Sequence, residues 1–222
     1  MTEIRRRFHD ELKSLESNLI DMAGHVDVML RDAVRALVTR DHSGVRAVID
    51  HDDIVDDLYM SVESRWHEVM AMQTPVAVDL RLMSAMIHIN AHLERMADVA
   101  VNIAKTARKT RKLPATEVIL THIGEMGDIA RNMIRTAMEA FATRDLDRAL
   151  SLPAMDDDVD RLNKRMYREV VKCDDDAELL EWAIRMMVIS RYLERVGDHA
   201  VHIAEHVAFL LTGEFREFDD AS

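Results

Sequence analysis

The sequence predicts an all-α fold: two tandem repeats of an antiparallel three-helix bundle, six long helices in all. Three observations predict it. Only 6 Gly and 3 Pro interrupt the 222 residues, while Ala, Leu, Met, Glu and Arg, the strong helix formers, dominate. Apolar residues recur in alternating steps of four and three, at Leu82, Met86, Ile89, Leu93, Met96, Ala100 and Ile103, and again at Trp182, Met186, Ile189, Leu193, Val196, Ala200 and Ile203, which is the stripe of a helix with one buried face. The segment "LERMADVAVNIA" at 93–104 also returns as "LERVGDHAVHIA" at 193–204.

The elements follow in order. Helices are expected at 3–40, 42–72 and 76–112, then at 115–143, 145–172 and 176–212. Asp41 is the expected N-cap of the second helix, and Pro75 breaks the chain before the third. The third ends in "KTARKTRK", whose five positive charges at 105–112 suit the negative pole of a helix C-terminus. Pro114 marks the next break, Asp145 the next N-cap, and Gly213 the final C-terminal stop. Two further repeats support this division. "VTRDHSGVR" at 38–46 matches "ATRDLDRAL" at 142–150, and "DDIVDDL" at 52–58 matches "DDDVDRL" at 156–162, both offset by 104 residues. The chain therefore divides into halves 1–113 and 114–222. Short connections force neighbouring long helices to run antiparallel.

Charge and composition exclude several function classes. The formal net charge of −12 argues against a nucleic-acid binder, which needs a basic face for phosphates. Residues 1–113 carry a net −2 and residues 114–222 a net −10, so the acids concentrate in the second half. The single Cys173 cannot form an internal disulfide, and a reducing compartment is expected. No apolar run reaches the ~20 residues that span a bilayer, and "MTEIRRRFHDELKSLES" lacks the apolar core of a signal peptide. A cytoplasmic location without membrane insertion is the expectation. There is no phosphate-cradling Gly-rich loop, nucleophile elbow, His-Glu-x-x-His motif or Cys-based metal site, so the sequence does not point to an enzyme.

The candidate site residues are carboxylates. Four pairs of the form Asp/Glu-x-x-x-Asp occupy equivalent positions in the halves: Asp52 with Asp56, Glu94 with Asp98, Asp156 with Asp160, and Glu194 with Asp198. Acids four apart share a helix face and repel by a few tenths of a kcal/mol, a cost that a cation reverses. Oxygen donors suit magnesium or manganese, and carboxylates on facing helices also hold iron. The competing reading is surface ion pairing, with Arg95 and Arg195 each three residues before the second acid. Glu94 and Asp98 lie off the apolar seam whereas Asp52 falls on it, so an open surface site is expected. His199, His202 and His206 share one side of the last helix; solvated surface histidines are the expectation, with zinc or iron ligation as the alternative. The 16 Met residues fall mostly at seam spacings and read as core.

The duplicated Leu-Glu-Arg segments, "PVAVDLRLM" at 75–83 and the Asp-x-x-Val-Asp signatures at 52–56 and 156–160 resemble the PhoU (PhoU/PhoY-like) family of phosphate-signalling proteins over nearly the whole chain. The resemblance implies a cytoplasmic negative regulator of phosphate uptake and of the phosphate-starvation response. It implies a homodimer that acts as an adaptor between the ATPase of a phosphate ABC transporter and a sensor histidine kinase. It further implies divalent or multinuclear metal (iron, zinc, magnesium or manganese) on Asp52, Asp56, Glu94, Asp98, Asp156, Asp160, Glu194 and Asp198. Two alternatives remain open at this point: an accessory protein of a low-affinity phosphate permease, and a carboxylate-bridged helical-bundle metalloprotein. Asn102 and His202 stand at equivalent positions one turn past the second acid, where some family members carry a third acid, so the two sites are expected to differ.

Overall fold

Leu12, Leu15, Leu19, Met22, Val26 and Met29 recur every three or four residues and are all buried, which is why the chain opens with a 36-residue helix, α1 (Glu3–Val38). The computed structural model describes residues 3–218; residues 1–2 and 219–222 of the two predicted halves lie outside the described residues. Helix α2 (Val45–Met72) buries Val48, Val55, Val62 and Val69, a seven-residue step that keeps one narrow seam against its neighbours. Helix α3 (Val78–Thr110) buries Leu82, Met86, Ile89, Leu93, Met96, Ala100 and Ile103, the stripe read from the sequence. The second half repeats the plan with α4 (Glu117–Thr143), the one-turn α5 (Leu146–Leu150), α6 (Leu152–Val171) and α7 (Ala177–Thr212). No strand occurs among the described residues.

Helices α1, α2 and α3 pack on one another, as do α4, α6 and α7. Each set is a three-helix bundle, antiparallel because residues 39–44, 73–77 and 172–176 leave only short connections. The bundles join through α3 against α7 and α1 against α4, and their buried side chains form one continuous core. Each fully buried Leu, Ile or Met in it contributes about 1.5–3 kcal/mol. Arg131 grips Asp27 with two hydrogen bonds of 3.0 Å between α4 and α1, and Arg144 reaches Glu16 at 2.6 Å. None of the described helices is long and apolar enough to cross a membrane.

Two local expectations need correction. Asp41 does not cap α2: its Oδ1 accepts from the Ser43 backbone N–H at 3.0 Å, closing a turn, and the helix starts at Val45. The helix expected at 145–172 is interrupted at Ser151. Pro153 lacks the N–H that would bond to the carbonyl four residues back, and its ring crowds that carbonyl, so the chain turns at Ser151, whose hydroxyl donates to the Arg148 carbonyl at 2.7 Å. Asp145 does cap α5, accepting from the Arg148 N–H at 3.0 Å. Gly213 ends α7 in the left-handed conformation at φ +79°. Left-handed backbone also recurs at the repeated Thr-Arg-Asp, with φ of 57° at Arg40 and 59° at Arg144. Such a conformation costs about 1–2 kcal/mol outside glycine. Arg40 offsets it by donating to the Arg111 and Leu113 carbonyls, and Arg144 by stacking over Phe141 and pairing with Glu16.

Candidate functional site

The apolar register of α2 places Asp52 between Val48 and Val55, which are buried, so its carboxylate is carried part-way into the seam against α3. Asp56, one turn later, is exposed. From α3, Glu94 is half-buried and Asp98 exposed. Burial, then the neighbouring charges of Asp56 and Asp98, push the Asp52 carboxyl from 3.8 up to about 6. The Glu94 carboxyl is pushed upward by burial and then by Asp98, Asp56 and Asp52. Asp52 and Glu94 therefore each feel Asp56 and Asp98 across the groove between α2 and α3. No ion pair reaches any of the four among the described residues.

The second half brings together Asp156 and Asp160 of α6 with Glu194 and Asp198 of α7, but fixes them differently. Glu194 is again raised by burial, opposed by Arg191 and raised further by Asp198 and Asp160. Here cations and amides intervene. Arg191 pairs with Glu194 and Lys164 lies 3.6 Å from Asp160, while Asn163 donates to Glu194 Oε1 at 3.0 Å and is itself held by the Ser190 hydroxyl at 2.6 Å. In the first half the corresponding positions are Tyr59 and Asn90. There the Asn90 amide donates to the Tyr59 carbonyl at 3.1 Å, and Asn90 Oδ1 is buried with no hydrogen-bond partner among the described residues. Gly197 makes room for the second site: a Cβ there would lie 2.4 Å from Asp156 Oδ1, whereas the equivalent first-half residue is Ala97.

The donor set fits a hard cation, since half-buried carboxylates that raise one another's pKa gain most from a positive charge placed among them. Among the described residues no three His, Cys, Asp or Glu side chains stand as a ready-made ligand set for one ion. An ion in either groove would have to draw its acids inward.

The expectation of solvated surface histidines fails for His199 and His206, which are half-buried, and holds for His202, which is exposed. Helix α3 sets His88 and His92 against His199, His202 and His206 of α7. The His88 and His206 rings stack with centroids 4.3 Å apart, and His92 Nδ1 lies 3.1 Å from His199 Nδ1. Burial, then the neighbouring imidazoles, pushes His92 down to about 3. Burial is also the main cause that takes His199 and His206 down to about 4. His202 goes the other way, raised by its 3.0 Å hydrogen bond to the buried Glu205. Reading helices one at a time misses this cluster, because its partners lie about a hundred residues apart; the signal was the pairing of α3 with α7 that the repeat implies.

Fold and site together define a duplicated α-helical bundle with paired carboxylates on open grooves. The chain belongs to the PhoU family: the PhoU domain matches residues 19–107 and again residues 123–207. It is 31% identical to the phosphate-specific transport system accessory protein PhoU homolog of Clostridium acetobutylicum, over 97% of this chain and 99% of that protein. It is 33% identical to the protein of the same description from Pseudomonas aeruginosa, over 95% of this chain and 87% of that one. The crystal structure of PhoU from Pseudomonas aeruginosa superposes with a TM-score of 0.89 at 31% identity, covering 93% of this chain and all of that one. PhoU from Streptococcus pneumoniae, at 24% identity and a TM-score of 0.86, shares the fold.

Proposed function

We propose that this protein is a regulatory accessory component of a phosphate-specific transport system. In this reading it restrains phosphate uptake and the starvation response by docking to the transporter ATPase and to a sensor histidine kinase, and it is not an enzyme. The relatives' shared description as transport accessory proteins supports the transport link. The observation that carries the regulatory reading is the form of the acidic sites: both are open grooves on a bundle surface, with exposed Asp56 and Asp98 in one and exposed Asp198 in the other. Such grooves suit recognition better than enclosed chemistry. Deleting the gene is expected to raise phosphate-uptake transcripts in high phosphate. Unchanged transcripts in a strain with no second copy would refute the reading, and affinity capture from phosphate-replete cells should return the ATPase and the kinase.

The same proposal places metal on the repeated acids, with Asp52, Asp56, Glu94 and Asp98 holding one ion or cluster and Asp156, Asp160, Glu194 and Asp198 the other. Magnesium, manganese, iron and zinc are the candidates. The metal's chemical contribution is positive charge, which neutralises the grooves and converts them into surfaces that attract acidic partners. That no ion pair reaches the first four acids among the described residues, Lys105 and Arg95 offsetting their repulsion only in part, supports this for the first half. A cytoplasmic homodimer completes the proposal, to be checked by fractionation and analytical ultracentrifugation.

A further inference from the structure

Helices α3 and α7 join the two bundles, and five of the chain's 11 histidines gather along their contact: His88 and His92 on α3, with His199, His202 and His206 on α7. The internal repeat does not account for them. Offset by 100 residues, their counterparts are Val188 and Tyr192 with Val99, Asn102 and Thr106, and no imidazole stands among these. Nor does any of the five belong to the acid pairs assigned above.

Three of the rings are spaced nearly as the ligands of one ion. His92 Nδ1 and His199 Nδ1 lie 3.1 Å apart; neighbouring ligands of a tetrahedral zinc, each about 2.0–2.1 Å from the metal, are about 3.3 Å apart. The same geometry sets the ring centroids of two bound imidazoles about 5.2 Å apart. His92 stands 5.2 Å from His199 and 5.4 Å from His202. The third side, His199 to His202, measures 6.5 Å, and among the described residues no three donors already surround one point. His202 is the ring with room to close that gap of about 1 Å, since its side chain is 50% exposed whereas His92 and His199 are half-buried in the seam. His202 is also braced from behind. Its Nδ1 donates to Glu205 Oε2 at 3.0 Å, because a carboxylate only accepts, and Nε2 therefore keeps a free lone pair. Glu205 is 5% exposed and is itself held by the Phe218 backbone N–H at 2.7 Å. A carboxylate behind a histidine fixes the tautomer and raises the basicity of metal-ligating imidazoles. Access is open as well. A cleft of about 480 Å³ runs past His199 and His202, and its two cations, Arg95 and Arg195, are equalled in number by Asp98 and Asp198, so charge does not bar a dication.

We propose that His92, His199 and His202 form a zinc site bridging α3 and α7, with water in the fourth position. It goes beyond the adaptor reading and is separate from metal on the acid pairs, whose oxygen donors suit harder ions. The test is titration of the full chain, stripped of metal on a chelating resin, with cobalt(II), whose visible absorption is intense in a tetrahedral nitrogen site and weak in an octahedral oxygen one. One equivalent should develop the intense band, and one equivalent of zinc should abolish it. Excess magnesium or manganese, which prefer oxygen, should not. His92→Gln and His202→Gln should each weaken cobalt binding by more than the about 10–100-fold that loss of an outer-shell partner costs. Asp52→Asn with Asp160→Asn, which removes one acid from each groove, should leave the band unchanged. Should His92→Gln lose its helical circular dichroism, His202→Gln, on the exposed side chain, decides alone. The absence of an intense band, a band of wild-type affinity in His202→Gln, or a band lost in the acid variant would overturn the proposal. None of these results depends on, or tests, the transport reading.

Discussion

The half-buried Asp52 makes a quantitative prediction: in metal-free protein, Asp52→Asn should stabilise the fold at neutral pH. A carboxyl whose pKa is raised in the folded state binds its proton more tightly there than in the unfolded chain, so the wild type loses stability as pH rises. The loss runs from the unfolded value, 3.8, through the folded value of about 6, and is complete above it. At about 1.4 kcal/mol per pH unit the displacement corresponds to an upper bound of about 3 kcal/mol. Asp52 keeps contact with solvent, which screens Asp56 and Asp98, and discounting by half leaves about 1–1.5 kcal/mol. For a chain of this size that is about 2–6 °C in Tm. Thermal melts of resin-treated wild type and Asp52→Asn at pH 7.5 and pH 4 measure it. The variant should be the more stable at pH 7.5 and the advantage should vanish at pH 4; an Asn variant no more stable than wild type at pH 7.5 would show that these carboxylates do not strain one another. Manganese or magnesium added at pH 7.5 should then raise the wild-type Tm and move that of the variant less.

Other perturbations test neighbouring parts of the molecule. Glu94→Gln with Asp98→Asn should lower metal content by elemental analysis while leaving helical circular dichroism near wild type, and unchanged content would return the acids to a purely structural role. At Gly197→Ala the new methyl would meet Asp156 Oδ1 at 2.4 Å; metal affinity of the second groove should fall with that of the first preserved. Gly127→Ala would bring a Cβ within 2.8 Å of Val34 Cγ1 at the α1/α4 contact and should cost about 1–3 kcal/mol in a urea melt. For His92 and His206 the sign is opposite to that of Asp52. Their folded pKa values of about 3 and about 4 lie below the ordinary 6.5, so the stability they contribute is whole above pH 6.5 and is lost as pH falls towards 4. His92→Gln with His206→Gln should flatten that loss.

The fold was legible in the sequence because its information is local and repeated: the four-three stripes of α3 and α7 name the buried residues one by one, and the matching segments divide the chain. What escaped depends on single atoms or on distant partners. The break at Ser151 turns on Pro153's missing N–H, which a composition reading passes over. The failed cap at Asp41 turns on Gly44 and Ser43, which let the side chain close a turn before the helix begins. Of the site, the eight acids were visible as pairs. How strongly they act across two helices was not, since that depends on how far the packed bundle buries Asp52 and Glu94. The histidine cluster was hidden for the same reason.

Duplication explains why the two grooves share a frame, and divergence explains why they do not share properties. Among the described residues, the first keeps four acids without an ion-pair partner beside a buried Asn90 whose side-chain carbonyl oxygen is unmatched. The second clothes its acids with Asn163, Ser190, Arg191 and Lys164. The energetic consequence is directional. A cation entering the first groove relieves repulsion that Lys105 and Arg95 offset only in part, whereas one entering the second displaces interactions already made, so the first groove should take up metal at lower free concentration. Had both grooves kept the ancestral residues, a single metal-binding isotherm would describe the chain; with these residues, titration of metal-free protein with manganese should resolve two steps. Asp52→Asn should abolish the tighter step, and Asp160→Asn the weaker one. A single step of two equivalent sites would mean that the polar clothing of the second groove costs an incoming ion nothing.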